Sequence, residues 1–502
     1  MIQLDRRKDH KWIFQKNISS ADLMTEFLKA TKKYGDIDQR DLILAEMKRK
    51  GVYKGRSAMG SANTMGVRTS EMKFYMFGYS LTPTLEKPKN SFFLSAAGAE
   101  IMHNIGSADK VSSASLVNLF SIQFPHPFSK TSSCFNINAG RLIIKLLIDS
   151  RLGNKLYVDE FCYFIPFLES VDLQIYEQLV ASILEFRKLN YYQKYKLFHQ
   201  IPNYDDVFSN TFHEFNYYFF RIYEGLGVFD LIEDKNHNDG KLFSFNHGNC
   251  GTKRNDAIFS RGKYSGYVIL KNDLVEKASK LINTFDAFEK PIKKSDDDIL
   301  SKDDFILQLY QTNQMKYMST IDETKVESAK VAECINNMVH ASKYGSRDGK
   351  EFEKSLKPVF ELFRQIDNVE IISGSGDTDL LCAVREIDDS HYKINVDAKT
   401  SHSSTSALNP MRLTQHLKTH GSRYCIVVSS RFATGVSNDI LNFNIVAINA
   451  EALANYCFNA FNISPDGFID FSVINDLVQT HMGTNITQVI NSYCDAWFGL
   501  TA

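Results

Sequence analysis

The segment HYKINVDAK at positions 391–399 constrains the fold of this chain more than any other. Successive side chains of a β-strand point to opposite faces of the sheet. One face of the segment would therefore carry Ile394, Val396 and Ala398, and the other face would carry Asn395, Asp397 and Lys399. This alternation predicts a strand with one apolar face against a core and with an acid and a lysine together on its other face.

The residues before this strand predict a defined order of elements. Residues 349–366 place apolar side chains at helical spacing and predict an amphipathic helix, which Pro358 is expected to kink. The glycines of SGSGD then break the chain, and LLCAV at 380–384 predicts a short apolar strand. The polar segment REIDDS predicts a turn into 391–399. Helix, strands and further helices together are typical of an α/β or α+β domain.

Oxygen ligands for a hard divalent cation are available around these two strands. Mg²⁺ prefers carboxylate and carbonyl oxygens, which Asp397, the main-chain carbonyl of Ala398 and Asp379 could supply. Lys399 would lie beside the cation, where it can orient or activate water and meet a negative phosphate. Glu353, on the preceding helix, could reach the same place as an accessory ligand. The pattern therefore predicts a hydrolytic magnesium centre.

An Asp-x-Lys tripeptide on a strand is common and usually forms an exposed ion pair, so the tripeptide alone predicts little. The ordered set is more specific: an acidic helix, a glycine-rich break, Asp before an aliphatic strand, a turn, and then Asp-Ala-Lys. This set resembles the PD-(D/E)XK nucleases. On that resemblance Glu353 corresponds to the helix acid, Asp379 to the first aspartate, Asp397 to the second acid and Lys399 to the lysine.

The chain departs from this family pattern at one position. Thr378 stands where the family has proline, and Asp377 is a rival to Asp379 for the first acid. We prefer Asp379 because it directly precedes the aliphatic segment 380–384.

The C-terminal part resembles, more closely, the cleavage domains of type IIS restriction endonucleases of the FokI and AlwI kind. After Asp-x-Lys come a serine-rich loop, a predicted helix NPMRLTQHLKTH that contains Gln415, and a strand in RYCIVVSSRFATGV. The resemblance covers roughly 320–450 and extends more weakly to SANTMGVRTSEMKFYMFGYS and LGNKLYVDEFCYFI in the N-terminal half. It implies sequence-specific DNA binding by the N-terminal part and cleavage at a fixed offset by the C-terminal part.

The N-terminal part is predicted to be mainly helical and winged-helix-like. Three helical segments end at Gly35, Gly51 and Gly78, and NSFFLSAAGAEIM then reads as a strand that leads into another helix. A second set follows, with helices in 141–165 and, in 212–248, a helix, the strand GVFDLIE, a polar turn and the strand KLFSFN.

A chain of 502 residues is too long for a single ordinary core. We predict winged-helix-like DNA-recognition domains at 1–135 and 136–288, a linker at 289–319 that begins with the charged segment EKPIKKSDDDILSKDD, and an α/β PD-(D/E)XK domain at 320–502.

Two basic segments are candidate DNA contacts. A loop that leads into a helix offers N–H groups to phosphates, and Arg and Asn side chains can read base edges. The alternative for each residue is a solvated basic face. The candidates are Lys54, Arg56, Asn63, Arg68 and Lys73 in 53–73, and Lys253, Arg254, Arg261 and Lys263 in 251–264. The formal net charge of −1 neither supports nor excludes nucleic acid as a partner.

The sequence predicts a cytoplasmic protein that does not enter membranes. No run approaches the roughly 18 apolar residues of a membrane span, and the charged start MIQLDRRKDHKW is not followed by an apolar signal region. The 8 cysteines are scattered singly, which argues against a zinc site or a disulfide framework and favours free thiols in a reducing compartment.

These features together predict a Mg²⁺-dependent deoxyribonuclease that binds double-stranded DNA and hydrolyses it by direct attack of water. One active site per chain implies a transient homodimer or a second nuclease subunit for double-strand cleavage, or else nicking of one strand. Two alternatives stay open: a repair or transposition nuclease of the same fold, and a DNA-binding regulator whose nuclease fold is inactive.

Overall fold

The computed structural model describes residues 1–15, 18, 20–34, 40–51, 61–82, 92–234, 237, 266–293, 302–345, 349–372, 377–386, 390–400, 405, 408–464 and 468–497. The chain divides into two compact units. The first contains Met1–Leu81, Asn90–Ser295 and Leu300–Glu323, and the second contains Thr82–Lys89, Asp296–Ile299 and Thr324–Ala502. Within the described residues, no helix combines the length and apolar character needed to cross a bilayer.

The first unit begins with the predicted order of three helices and a strand. These elements are α1 (Ala21–Tyr34), α2 (Arg40–Arg49), α3 (Ser61–Phe74), β1 (Gly78–Tyr79), β2 (Phe93–Leu94) and α4 (Ala96–His103). Strands β1 and β2 pair antiparallel. The third helix starts earlier than its apolar residues indicate and ends at Phe74, four residues before the predicted end at Gly78. Ser95 begins α4 as predicted, and its Oγ accepts a hydrogen bond from the N–H of Gly98 at 2.9 Å.

The rest of the first unit is also mostly helical. Its elements are α5 (Ala108–Phe120), α6 (Ala139–Leu147), β3 (Leu156–Tyr157), α7 (Val158–Phe164), α8 (Leu173–Arg187), α9 (Tyr191–His199), α10 (Tyr204–Phe212), a π-helix (His213–Phe219), α11 (Phe220–Gly225), β4 (Phe229–Glu233), β5 (Gly266–Leu270), α12 (Asn272–Thr284), α13 (Lys302–Leu307), a π-helix (Gln308–Asn313) and α14 (Gln314–Ile321).

Strand β4 pairs with a strand that lies well beyond it along the chain. In the described part of this unit, β5 lies between β3 and β4 in an antiparallel sheet. The segment KLFSFN at 241–246, predicted as the partner of β4, lies outside the described residues. The described neighbour of β4 therefore begins more than thirty residues after β4 ends, and the pairing of β4 with 241–246 stays a prediction.

Part of the segment predicted as a linker, 289–319, is helical and packs inside the first unit. Tyr310 is fully buried, and the hydroxyl of Tyr317 accepts a hydrogen bond from Nη2 of Arg141 at 2.8 Å. The charged residues of 289–304 indicated an exposed connection, but the apolar residues that follow them recur at helical spacing and are buried.

The second unit is built around a mixed sheet. Its elements are α15 (Val326–Tyr344), α16 (Lys350–Phe360), β6 (Ile366–Ile371), β7 (Leu380–Arg385), β8 (His391–Lys399), α17 (Pro410–His420), β9 (Ser422–Ser429), α18 (Val436–Ile440), β10 (Ile445–Asn449), α19 (Ala450–Ile463), α20 (Phe471–Thr480) and α21 (Thr487–Trp497). The described strands follow the order β6-β7-β8-β9-β10, antiparallel from β6 to β8 and parallel from β8 to β10.

Two predicted strands are confirmed, whereas the predicted helix at 349–366 is too long. Strands β7 and β8 contain the segments 380–384 and 391–399. Helix α16 ends at Phe360 with Pro358 in its last turn, and β6 follows it. Residues 366–371 continue into the sheet because their main chain pairs with β7, a long-range interaction that local helical spacing does not reveal.

Strand β8 lies at the centre of the sheet, and both of its faces are covered. The parallel register aligns Asn395, Asp397 and Lys399 with Cys425, Val427 and Ser429 of β9. Cys425 and Val427 pack with Leu413 and Leu417 of α17. Because aligned residues of parallel strands point to the same side, the acid and the lysine of β8 point to the face that α17 covers.

Candidate active site

Asp379 and Asp397 are brought together by the register of β7 and β8. Leu380, the first residue of β7, lies opposite Val396, so Asp379 lies beside the end of β8. Oδ2 of Asp379 accepts a hydrogen bond from the N–H of Ala398 at 2.5 Å. The main-chain carbonyl of Ala398 lies at the same end of β8, directly after Asp397. The three predicted cation ligands therefore lie at one end of the sheet.

Asp397 is a buried acid with one cationic neighbour. It is 0 % exposed, and Oδ2 forms an ion pair with Nζ of Lys399, whose side chain is 34 % exposed. Apart from this ion pair, the carboxylate of Asp397 has no hydrogen-bond partner within the described residues. Burying an ionised carboxylate without full compensation is costly. Such a group is stabilised by a cation in the same place.

The two acids raise each other's energy when both are ionised. Burial, followed by the negative charge of Asp397, raises the pKa of Asp379 to about 7. Lys399 and the N–H of Ala398 act in the opposite direction, and Glu353 adds to the increase. A divalent cation between the acids would remove this repulsion.

Glu353 lies at the same end of the sheet. The Cβ position of Gly349 is 3.6 Å from Oε1 of Glu353 and 3.6 Å from Oγ1 of Thr400, the residue after β8. Helix α16 therefore carries its first-turn acid to the end of the strand that holds Asp397 and Lys399.

Asp377, the rival of Asp379, has other partners. Its Oδ1 lies 2.7 Å from Nε2 of His420, on α17. The same oxygen accepts a hydrogen bond from the N–H of Thr378 at 2.7 Å. These hydrogen bonds hold the pKa of the Asp377 carboxyl below its usual value, His420 having the larger effect. This carboxylate is already satisfied, whereas that of Asp379 faces Asp397. The geometry therefore favours Asp379 as the ligand.

Three neighbouring polar residues were not among the predicted site residues. Oγ of Ser429 donates to the carbonyl of Lys399 at 2.8 Å, and Oγ1 of Thr378 donates to the carbonyl of Val396 at 3.3 Å. The amide of Asn395 is fully buried on the face of Asp397, with no hydrogen-bond partner among the described residues. In the sequence, only the alternation of β8 places Asn395 on the same face as Asp397. No local pattern in the sequence indicates that Ser429 lies near the site.

This donor set fits a hydrated divalent cation. Asp379, Asp397 and Glu353 offer carboxylate oxygens, and Ala398 offers a carbonyl. Mg²⁺ binds such oxygens and keeps several of its water molecules. Within the described residues, Oδ1 of Asp397 and the amide of Asn395 have no hydrogen-bond partner, and such a hydrated cation would satisfy them.

Cation binding is expected to depend on pH because it requires ionised Asp379. The carboxyl is protonated below about pH 7 in the metal-free protein. Mg²⁺ must then displace a proton, so its affinity should fall about tenfold for each pH unit below that value. Calorimetric titration of wild type with Mg²⁺ across this range measures the effect. An affinity that does not change with pH would contradict the raised pKa, and Asp377→Asn is the control that should keep the pH dependence.

The predicted DNA contacts are only partly described. Lys54, Arg56, Lys253, Arg254, Arg261 and Lys263 lie outside the described residues, as does the side chain of Asn63 on α3. The guanidinium of Arg68 lies 5.1 Å from the ring centre of Phe27. Lys73 is buried, with Nζ 5.2 Å from the ring centre of Phe128. The burial of Lys73 argues against a phosphate contact, because its ammonium group packs inside its own unit.

Comparison with known proteins places these units in a family. Residues 6–285, more than half of the chain, match the family model "Type II restriction endonuclease HgaI, N-terminal domain". The chain is 28% identical to the type II restriction enzyme HgaI of Avibacterium volantium over 498 residues, which cover 98% of each protein.

Two solved structures of restriction endonuclease FokI also match, with 10% identity for the protein alone and 11% for the protein bound to DNA. Each match covers 95% of this chain and 99% of that chain, but the TM-scores of 0.26 and 0.25 are too low to support an argument. The identity to HgaI along the whole chain and the family match in its N-terminal part carry the assignment. The chain belongs to the family of type II restriction endonucleases represented by HgaI.

Proposed function

We propose that this restriction endonuclease hydrolyses DNA phosphodiester bonds at the centre formed by Asp379, Asp397 and Lys399, with Mg²⁺ as its cofactor. One observation carries the proposal. Two acids from adjacent strands meet beside a lysine, and the ammonium group of this lysine is the one polar partner of the buried Asp397 carboxylate within the described residues. Ala398, through its carbonyl, and Glu353 complete the proposed ligand set.

The residues of this chain have separate roles in the proposed reaction. Bound here, Mg²⁺ would supply Lewis-acid stabilisation of the charge on the reacting phosphate. Lys399, paired with Asp397 and partly exposed, can orient a water molecule for direct attack on phosphorus and neutralise the phosphate. The N–H of Ala398 holds the carboxylate of Asp379 in place. No covalent enzyme intermediate is required.

We further propose that the first unit reads the DNA sequence and the second unit cuts at a fixed distance from the bound site, the type IIS arrangement. Two features of the first unit support a reader of winged-helix type. Its helices α1 to α3 precede the antiparallel pair β1–β2, and the strands β3, β5 and β4 form an antiparallel sheet that follows helices. One active site per chain implies a transient second copy for double-strand cleavage.

Incubation of the full chain with plasmid and genomic DNA, with Mg²⁺ or with a chelator, tests the proposal. Run-off sequencing of the products reads the recognised sequence, the offset and the number of strands cut. We expect discrete ends at a constant distance from one asymmetric sequence, and no product with the chelator.

Three other results would contradict the proposal. Binding without cleavage by wild type would favour a DNA-binding regulator. Cuts that follow DNA structure rather than sequence would favour a repair nuclease. Cleavage that continues in the chelator would rule out the cation centre.

A further inference from the structure

We propose that His10, Cys134 and Glu169 form a zinc-binding site on the first unit, separate from the active site. Nε2 of His10 lies 2.8 Å from Oε1 of Glu169. The three ligand atoms, a ring nitrogen, a thiol sulfur and a carboxylate oxygen, all lie within 4.8 Å of one another. The residues come from three distant parts of the sequence, which the fold brings to one point.

Main-chain hydrogen bonds hold the three ligand-bearing segments together. The N–H of Trp12 donates to the carbonyl of Pro166 at 2.7 Å, and the N–H of Asn136 donates to the carbonyl of Glu169 at 2.7 Å. The indole N–H of Trp12 also donates to the carbonyl of Leu168 at 2.9 Å. The position of each ligand is therefore set by the fold rather than by a free loop.

Each proposed ligand also directly adjoins a buried residue. Lys11, Phe135 and Leu168 are 3 %, 0 % and 2 % exposed. The ring of His10 packs against that of Phe135, with 5.2 Å between the centroids. Buried neighbours on the same chain segments limit the freedom of the ligands, which lowers the entropic cost of binding a cation.

The donor set selects zinc rather than magnesium. Zn²⁺ accepts imidazole nitrogen, thiolate sulfur and carboxylate oxygen together in a tetrahedral arrangement, whereas Mg²⁺ prefers oxygen ligands alone. Bond lengths of about 2.0–2.3 Å place tetrahedral ligand atoms roughly 3.3–3.8 Å apart. The hydrogen bond between His10 and Glu169 would open slightly, and the thiol of Cys134 would move closer by a side-chain rotation.

Water is the expected fourth ligand. Asp5 comes within 3.9 Å of Nε2 of His10, but its carboxylate already receives hydrogen bonds from Arg7. Asp5 and Glu169 line a surface cavity of about 700 Å³. Cys134 and Glu169 are exposed, which gives the ion and its water a path from solvent. The bound ion would cross-link residues 159 positions apart and stabilise the first unit.

Titration of the full metal-free protein with Co²⁺, a coloured substitute for Zn²⁺, tests the site. Only a thiolate ligand produces sulfur-to-cobalt charge-transfer absorption, so the oxygen ligands of the active site do not contribute to it. We expect this absorption to saturate at about one equivalent and to be displaced by Zn²⁺. Cys134→Ser should abolish it, and Glu169→Gln should weaken cobalt binding at least about tenfold.

Two matched variants serve as controls. Cys334→Ser removes another partly accessible thiol, and Glu185→Gln changes another acid that lines the same cavity. Both should bind Co²⁺ like wild type. Zn²⁺ should also raise the unfolding temperature of wild type and not that of Cys134→Ser, whose metal-free unfolding temperature should equal that of wild type. Absence of the absorption in wild type, or its survival in Cys134→Ser, would overturn the proposal.

Discussion

Replacement of Asp397 by asparagine is expected to lower the DNA cleavage rate by about a thousandfold or more. The change keeps the size of the side chain but removes the negative charge that faces Asp379 and pairs with Lys399. Single-turnover cleavage at saturating Mg²⁺ measures the loss, and DNA binding by the same variant should be close to that of wild type.

The stability of this variant separates a catalytic role from a structural one. The carboxylate of Asp397 is buried, and its polar partner in the described part of the chain is the partly exposed ammonium group of Lys399, so an amide should cost the metal-free fold little. Asp367→Asn, which changes a half-exposed acid beside His391 on the same sheet, is the matched control and should cleave like wild type. Full cleavage by Asp397→Asn would place the reaction elsewhere.

Replacement of Glu214 by alanine is expected to destabilise the first unit by about 3–5 kcal/mol. Oε2 of Glu214 lies 2.5 Å from Nζ of Lys11, and the two side chains are only 5 % and 3 % exposed. Removing one partner leaves the other charge buried and uncompensated, which costs far more than the pair contributes. Urea unfolding followed by Trp12 fluorescence reports this unit, and Trp497→Phe removes the other tryptophan of the chain.

Two comparisons test this explanation. Lys11→Met with Glu214→Met removes both charges and should recover most of the lost stability. Glu185→Ala removes an exposed ion pair with Lys188 and should have little effect, because water screens that pair. If Glu214→Ala and Glu185→Ala were equally stable, burial of the Lys11–Glu214 pair would not explain the effect of Glu214→Ala.

Much of the active centre could be predicted from local sequence. The alternation of 391–399 and the aliphatic run 380–384 predicted β8 and β7, and the structure confirms both strands. Strand alternation depends only on the geometry of neighbouring residues, so it places Asp397 and Lys399 on one face without knowledge of the partner strands. The helix in NPMRLTQHLKTH and the strand in RYCIVVSS were expected together with the resemblance to type IIS cleavage domains and are confirmed as α17 and β9.

Features that depend on pairing between distant segments could not be predicted. Strand β6 was not predicted, because its place in the sheet depends on pairing with β7, and the pairing of β4 with β5 was not predicted either. The choice between Asp379 and Asp377 as the cation ligand also required tertiary structure. Both acids adjoin the same strand in sequence, and only the position of His420 on α17 shows that Asp377 has its own partner.

The sequence by itself determined which residues can supply chemistry at the end of β8, because residue type and strand periodicity are local properties. Tertiary structure decided how these residues interact. It buried Asp397 and, by burying much of Asp379 beside that negative charge, raised the pKa of Asp379 to about 7. It also supports the proposal of a zinc site, which the absence of paired cysteines in the sequence argued against. Cys134 meets its proposed co-ligands His10 and Glu169 only in the folded first unit, through contacts that span 159 positions.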